Sequence, residues 1–190
     1  MEEVVRKRIE ESIEIKKELL SNYDLLDCIF RMAEKMSDAI SKGGKIVVCG
    51  NGGSASDALH FAGEIVGRFQ KERTAWPAVV LNADVATMTA IGNDYGFDDI
   101  FARQAEAHIR PGDVFVGIST SGNSENVLRA ALVAKKQGAK TMALLGKDGG
   151  KIRTVVEYPI VVPCDITARV QECHIMIIHI LCELIENKLA

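Results

Sequence analysis

The sequence contains no run of about 18 apolar residues, the length a membrane-spanning helix requires. Its first twenty residues, MEEVVRKRIEESIEIKKELL, are too charged for the apolar segment of a secretory leader. A cytoplasmic location is therefore expected. There is no block of like charge either: 23 basic and 26 acidic residues are scattered along the chain, for a net charge of -3. A nucleic-acid binder would show a clustered basic face, so neither nucleic acid nor a membrane is expected as a partner. An anion can be held only by local geometry. The five cysteines, Cys28, Cys49, Cys164, Cys173 and Cys182, are odd in number and form no CxxC pair. Cys49, Cys173 and Cys182 lie in apolar runs and read as buried, reduced thiols. Glycine and proline are absent from the first 42 residues, so nothing there breaks a helix.

At 190 residues, with 47% hydrophobic and 26% charged residues, the chain has the size and composition of one globular domain over residues 1–190. Residues 1–42 read as two helices with a break near Ser21 and Asn22. Val5, Ile9, Ile13, Lys16 and Leu20 form one mostly apolar stripe; Leu25, Leu26, Ile29, Ala33, Met36 and Ile40 form another. Lys42-Gly43-Gly44 ends the second. From residue 43 the period changes. Lys45–Cys49, Ala78–Leu81, Val114–Ile118, Thr141–Leu145 and Tyr158–Val162 are short apolar runs, as strands covered on both faces require. Helical patterns over Ala55–Arg68, Val85–Ile91, Asp99–His108 and Asn126–Gln137 separate them, and Thr167–Leu189 reads as one long helix. This alternation predicts an α/β fold: a five-stranded parallel sheet between two helical layers, flavodoxin-like, with an N-terminal helical extension. An amphipathic extension must cover its stripe, and a second copy of the chain is a natural cover. A homo-oligomer, a tetramer, is expected.

Ligands of such sheets bind outside the carboxyl ends of the strands. The first strand-to-helix turn, Gly50-Asn51-Gly52-Gly53-Ser54, lets backbone amides approach a ligand at a helix start. It has neither GxGxxG spacing nor a P-loop lysine, and a plain tight turn is the alternative. The turn after Val114–Ile118 is Ser119-Thr120-Ser121-Gly122-Asn123-Ser124. Hydroxyls and free amides at a helix start make a phosphate cradle without fixed charge. A helix cap at Ser124 would explain one serine and not the cluster. His60 and Glu64 share a helix face, which suits metal ligation or an acid–base pair; a surface ion pair has the same spacing. On the last helix, Gln171 and His179 are separated by about 80° at roughly 100° per residue, so both can face one cleft. His174 is about 140° from His179 on the same count, so the two do not easily share one narrow site. A satisfied core residue is the usual reading of a lone histidine in an apolar helix, His179 included. Together the residues suggest a sugar phosphate held beside an acid–base pair. They do not name the sugar.

The segments VCGNGGSASDALHFAGE (48–64), ISTSGNSENV (118–127) and TARVQECHIMIIH (167–179) resemble those of the phosphoheptose isomerases, members of the sugar-isomerase (SIS) domain family. The likeness runs over nearly the whole chain. The serine loop is common to SIS domains; HFAGE together with RVQECHIMIIH is narrower. The resemblance implies conversion of D-sedoheptulose 7-phosphate to D-glycero-D-manno-heptose 7-phosphate, the entry to activated heptose for lipopolysaccharide or other surface glycans. It implies a cytoplasmic homotetramer with active sites between subunits. It also implies one zinc ion per subunit, held by His60, Glu64, Gln171 and His179. Asn51, Gly52, Gly53, Asn93, Asp94, Glu64 and Gln171 would contact the sugar, and Ser119, Thr120, Ser121 and Ser124 the phosphate. Glu64 and His179 would be catalytic. Relatives carry an acidic residue where this chain has Ala168, which leaves the proposed base and acid intact. The DnaA initiator-associating protein is similar in length, fold and assembly, keeps the serine loop, and lacks equivalents of Glu64 and His179. SIS isomerases of other sugar phosphates, and sugar-phosphate sensors fused to DNA-binding domains, are further alternatives.

Overall fold

A computed structural model describes residues 1–190. Two helices lead: α1 (Glu2–Ser21) and α2 (Tyr23–Ser41). Asn22 caps α2, its side-chain oxygen accepting the Leu25 N–H at 3.0 Å. Then follow β1 (Ile46–Gly50), α3 (Gly53–Val66), β2 (Ala78–Val80), α4 (Val85–Asp94), a 3-10 turn at Phe97–Asp99 and α5 (Ala102–His108). The chain continues through β3 (Val114–Ser119), α6 (Glu125–Lys136), β4 (Lys140–Gly146), a 3-10 turn at Ile152–Thr154, β5 (Tyr158–Val162) and α7 (Thr167–Leu189).

All four strand pairings are parallel, and the sheet order is β2-β1-β3-β4-β5. This is the expected five-stranded α/β fold. Side chains alternate across the sheet. Ile46, Val48, Val114, Val116, Ile118, Met142 and Leu144 face a core shared with α2, α3 and α7. Val47, Cys49, Phe115, Ala143 and Leu145 face a second core with α5 and α6. The chain leaves β1 toward β2 on one side and returns to β3 on the other. The direction of winding therefore reverses between β1 and β3, and a crevice opens there at the carboxyl edge.

Four local differences from the sequence reading have physical reasons. The α1 stripe does not face the core: Val5, Ile9 and Ile13 are exposed, and Leu19 is the buried residue of that helix. The 3.6-residue period locates an apolar face and does not say what covers it. The expected helix 99–108 is split into a 3-10 turn and α5. The helix after β2 runs three residues further than the apolar pattern, so Asn93 and Asp94 form its last turn. The helix after β1 starts at Gly53, making that glycine its first residue.

Candidate active site

The turn after β1 is braced on two sides. Asn82 accepts the Gly50 N–H through Oδ1 and donates to the Ala55 carbonyl through Nδ2, both at 3.2 Å. Asn51 and the buried Asn126 exchange side-chain amide hydrogen bonds at 2.9 and 3.0 Å, which ties the β1 turn to the first turn of α6. A β-carbon on Gly53 would lie 2.2 Å from Nε2 of Gln171. The glycine thus lets a side chain of α7 reach the start of α3.

In the turn after β3, the hydroxyls face one another. Ser119 Oγ lies 2.8 Å from Ser124 Oγ and 3.4 Å from Ser121 Oγ. Ser124 occupies the N-cap position of α6, yet its hydroxyl caps nothing. Gly122 has φ +66°, and a β-carbon there would lie 2.2 Å from the Gly149 carbonyl oxygen, so the turn after β4 packs onto this one. Thr120 and Ser121 are half-buried at the same edge. Clustered hydroxyls at a helix start suit an anion of phosphate size.

The third component joins α3 to α7. Nε2 of His60 lies 3.1 Å from Glu64 Oε1 and 3.3 Å from Nε2 of His179. The two imidazole rings are tilted by 59° at 5.1 Å, and His179 stacks on Phe69 at 5.6 Å. One helical turn before His60, Asp57 lines a groove with His60, Ala168 and Gln171. Its Oδ2 is buried without a hydrogen-bond partner, and burial raises its pKa against the opposing pull of His60. The carboxylate and two imidazoles that meet between α3 and α7 are groups suited to proton transfer, and Gln171 joins α7 to the turn after β1.

The SIS domain family matches residues 10–146. A phosphoheptose isomerase of Geotalea daltonii is 53% identical, the match covering 93% of this chain and 96% of the relative. The chain belongs to the phosphoheptose isomerase family of SIS domains. The solved phosphoheptose isomerase of Neisseria gonorrhoeae is 44% identical with a TM-score of 0.92 over 98% of both chains. That of Francisella tularensis is 38% identical with a TM-score of 0.93 over 97% of both.

Against this family background the donor set can be tested for zinc. Bonds of about 2.0–2.2 Å in tetrahedral geometry hold neighbouring donors roughly 3.3–3.5 Å apart. The two imidazole nitrogens already stand at 3.3 Å. Glu64 is bonded to His60 and not to His179, so no three His, Cys, Asp or Glu groups converge on one point. Gln171 reaches the same groove as His60 and offers an amide oxygen as a further donor. The donor chemistry of His60, Glu64, Gln171 and His179 suits zinc, and the two imidazole nitrogens stand at the spacing the ion requires.

Not every residue singled out in this phosphoheptose-isomerase sequence meets the others. Asn93 and Asp94 are exposed and bonded to each other at 2.8 Å, and no hydrogen bond links them to the rest of the site. His174 is fully buried in the core. Its Nε2–H donates to the Leu145 carbonyl at 3.0 Å, and burial lowers its pKa to about 4. Burial likewise raises the Cys173 thiol and pushes that of Cys182 up to about 12, which leaves neither as a thiolate nucleophile. The sequence reading passed over Asp57, Asn82 and Asn126. It also passed over Phe69, Arg73 and Glu186, around which the loop beside His179 is organised. A buried asparagine or arginine carries no periodic signal that separates it from a surface one.

Proposed function

We propose that the chain interconverts D-sedoheptulose 7-phosphate and D-glycero-D-manno-heptose 7-phosphate, and so feeds activated-heptose synthesis for lipopolysaccharide or other surface glycans. The observation that carries this reading is the meeting of Glu64, His60 and His179 between α3 and α7, in a sheet whose winding reverses between β1 and β3. The 53% identity to a phosphoheptose isomerase supports the choice of sugar.

The phosphate is bound by Ser119, Thr120, Ser121 and Ser124. Binding energy from that end holds the open-chain ketose in register. Asn51, Gly52 and Gly53 face the sugar, with Gln171 packed against Gly53. Glu64 removes a proton from C1. The C1–H electron pair forms the C1=C2 bond while the carbonyl oxygen on C2 gains a proton, giving a cis-enediol. His179 carries protons between the two oxygens. As the C1 hydroxyl loses its proton, the C1 carbonyl forms and C2 takes the proton back from Glu64. Each such group contributes about 10²–10⁴-fold. His60, Glu64, Gln171 and His179 would hold zinc, which would supply Lewis-acid stabilisation of charge on the two oxygens.

The assembly is a homotetramer with sites between subunits. Val5, Ile9 and Ile13 on α1 and Phe30 on α2 are exposed, at 61, 57, 45 and 53%, and a second copy is a cover for them. Asn93 and Asp94, which form no hydrogen bond to the site in their own chain, belong to a neighbour's site on this reading.

The test is conversion of sedoheptulose 7-phosphate by the purified protein, with deuterium uptake from heavy water at the transferred carbon. Glu64→Gln and His179→Ala are each expected to lower kcat by about 10²–10⁴-fold. Near-wild-type turnover in either variant removes that residue from the mechanism. Deuterium uptake by the wild-type protein excludes a purely regulatory role, and its absence together with no conversion overturns the enzyme reading.

A further inference from the structure

The loop between α3 and β2 is organised around one buried ion pair. Glu186 on α7 is 2% exposed. It accepts the backbone N–H groups of Phe69, Gln70 and Lys71 at 2.8–2.9 Å and Nε of Arg73 at 3.1 Å. The Arg73 side chain is 4% exposed. It donates through Nη2 to the Glu64 carbonyl at 2.8 Å and through Nη1 to the Thr74 carbonyl at 3.1 Å. The face of its guanidinium lies 3.6 Å from the Trp76 ring centre.

These contacts grip both halves of the proposed acid–base pair. Arg73 holds the backbone of Glu64 at the end of α3. Glu186 sits two turns beyond His179 on α7 and holds the backbone of Phe69, whose ring stacks on the His179 imidazole at 28°. Stability alone does not call for such a pair, because well-packed apolar residues in place of a buried ion pair are commonly neutral or stabilising. An apolar pair would not specify direction. The planar arginine fork fixes the separation of two helices along defined hydrogen-bond vectors.

We propose that Arg73, Glu186 and Phe69 act as a positioning clasp, setting α3 against α7 and holding the His179 ring plane so that Glu64 and His179 address one substrate. The inference rests on the reading of Glu64 and His179 as the acid–base pair. None of the three clasp residues is placed on the substrate.

The test uses Glu186→Gln, Arg73→Lys and Phe69→Leu in the full chain, read by thermal unfolding, by kcat and KM for sedoheptulose 7-phosphate, and by the His179 Cε1–H NMR resonance. Misplacement of reacting groups by about 1 Å costs on the order of 10²-fold. We expect kcat to fall by about 10- to 100-fold with KM held within about twofold. The His179 resonance should move in Glu186→Gln, where Phe69 is still present. Arg73→Lys should not rescue activity, since one ammonium cannot span both contacts. A folded Glu186→Gln with a lowered Tm, wild-type kcat and an unmoved resonance would overturn the clasp and leave a structural tie. Should Glu186→Gln not fold, Phe69→Leu decides: unchanged kcat overturns the proposal and a lowered kcat at unchanged KM supports it. If the wild-type protein fails to convert the sugar, it is the acid–base reading that falls. The clasp is then judged on the resonance alone, supported if it moves in Glu186→Gln or Arg73→Lys and overturned if it does not.

Discussion

The proposed anion cradle and the proposed proton-transfer cluster are assembled in different ways. The cradle is local. Ser119, Ser121 and Ser124 are within five residues of one another, and their mutual contacts form once β3 ends and α6 begins. The cluster is remote: His60 and His179 are 119 positions apart and meet only after the sheet has closed and α3 has packed on α7. A local site tolerates strain elsewhere in the fold, whereas a remote site inherits every error in helix packing. Substitutions around the cradle should therefore act on affinity, and substitutions around the cluster on turnover.

Four changes would break or sharpen that contrast. The largest effect is expected from the paired change Ser119→Ala with Ser124→Ala. Each hydrogen bond to a charged group is worth about 1.5–3 kcal/mol, so loss of two should raise KM by about 100-fold or more while kcat holds. A matching loss in kcat would place the cradle in the chemical step. Next is Gly53→Ala. The added carbon meets the flexible end of Gln171 and no backbone, so the protein should fold with a Tm close to wild type while turnover drops about tenfold as Gln171 swings out. Unchanged kinetics would remove Gln171 from the site.

Acid stability separates the two helical supports of the cluster. Desolvation would raise the pKa of Glu186, but three backbone N–H donors and Arg73 outweigh it and bring it down to about 2 from an ordinary 4.5. A lowered carboxylate pKa stabilises the fold above the unfolded value, and that stability is lost as pH falls from about 4.5 toward 2. His174, lowered to about 4 from 6.5, acts over a higher window. The unfolded chain takes up the proton first, so stability declines from about pH 6.5 to 4. Thermal unfolding against pH should flatten in the upper window for His174→Gln and in the lower one for Glu186→Gln. A slope unchanged in both would discount the two groups as the source of acid lability. The smallest effect is the thermal one of Ser124→Ala alone. An N-cap serine that caps would cost about 1 kcal/mol on removal. Because this hydroxyl bonds Ser119 and no helix amide, the unfolding free energy should stay within about 0.5 kcal/mol of wild type. A loss near 1 kcal/mol would return Ser124 to a capping role.

The same division explains how much was legible from residue order. Short continuous apolar runs, which burial on both faces demands, located all five strands within a residue or two, and α7 was read with the same bounds. The hydroxyl turn was legible because its members are consecutive. The i, i+4 spacing of His60 and Glu64 showed a shared helix face but not a partner, and His179 was one apolar-helix histidine among two. The angle of about 80° that lets His179 and Gln171 face one cleft came from helix geometry. That His179 meets His60 did not.

Composition and pattern by themselves determined the α/β class, the strand and helix sequence and the hydroxyl-rich turn after β3, since each follows from interactions between residues close in the chain. Only the tertiary structure decided which face of α1 is left bare, that Gly53 makes room for Gln171, and that Arg73 and Glu186, 113 positions apart, join the two helices of the cluster. Those features depend on where distant segments pack, and packing is a property of the closed sheet that no local period records.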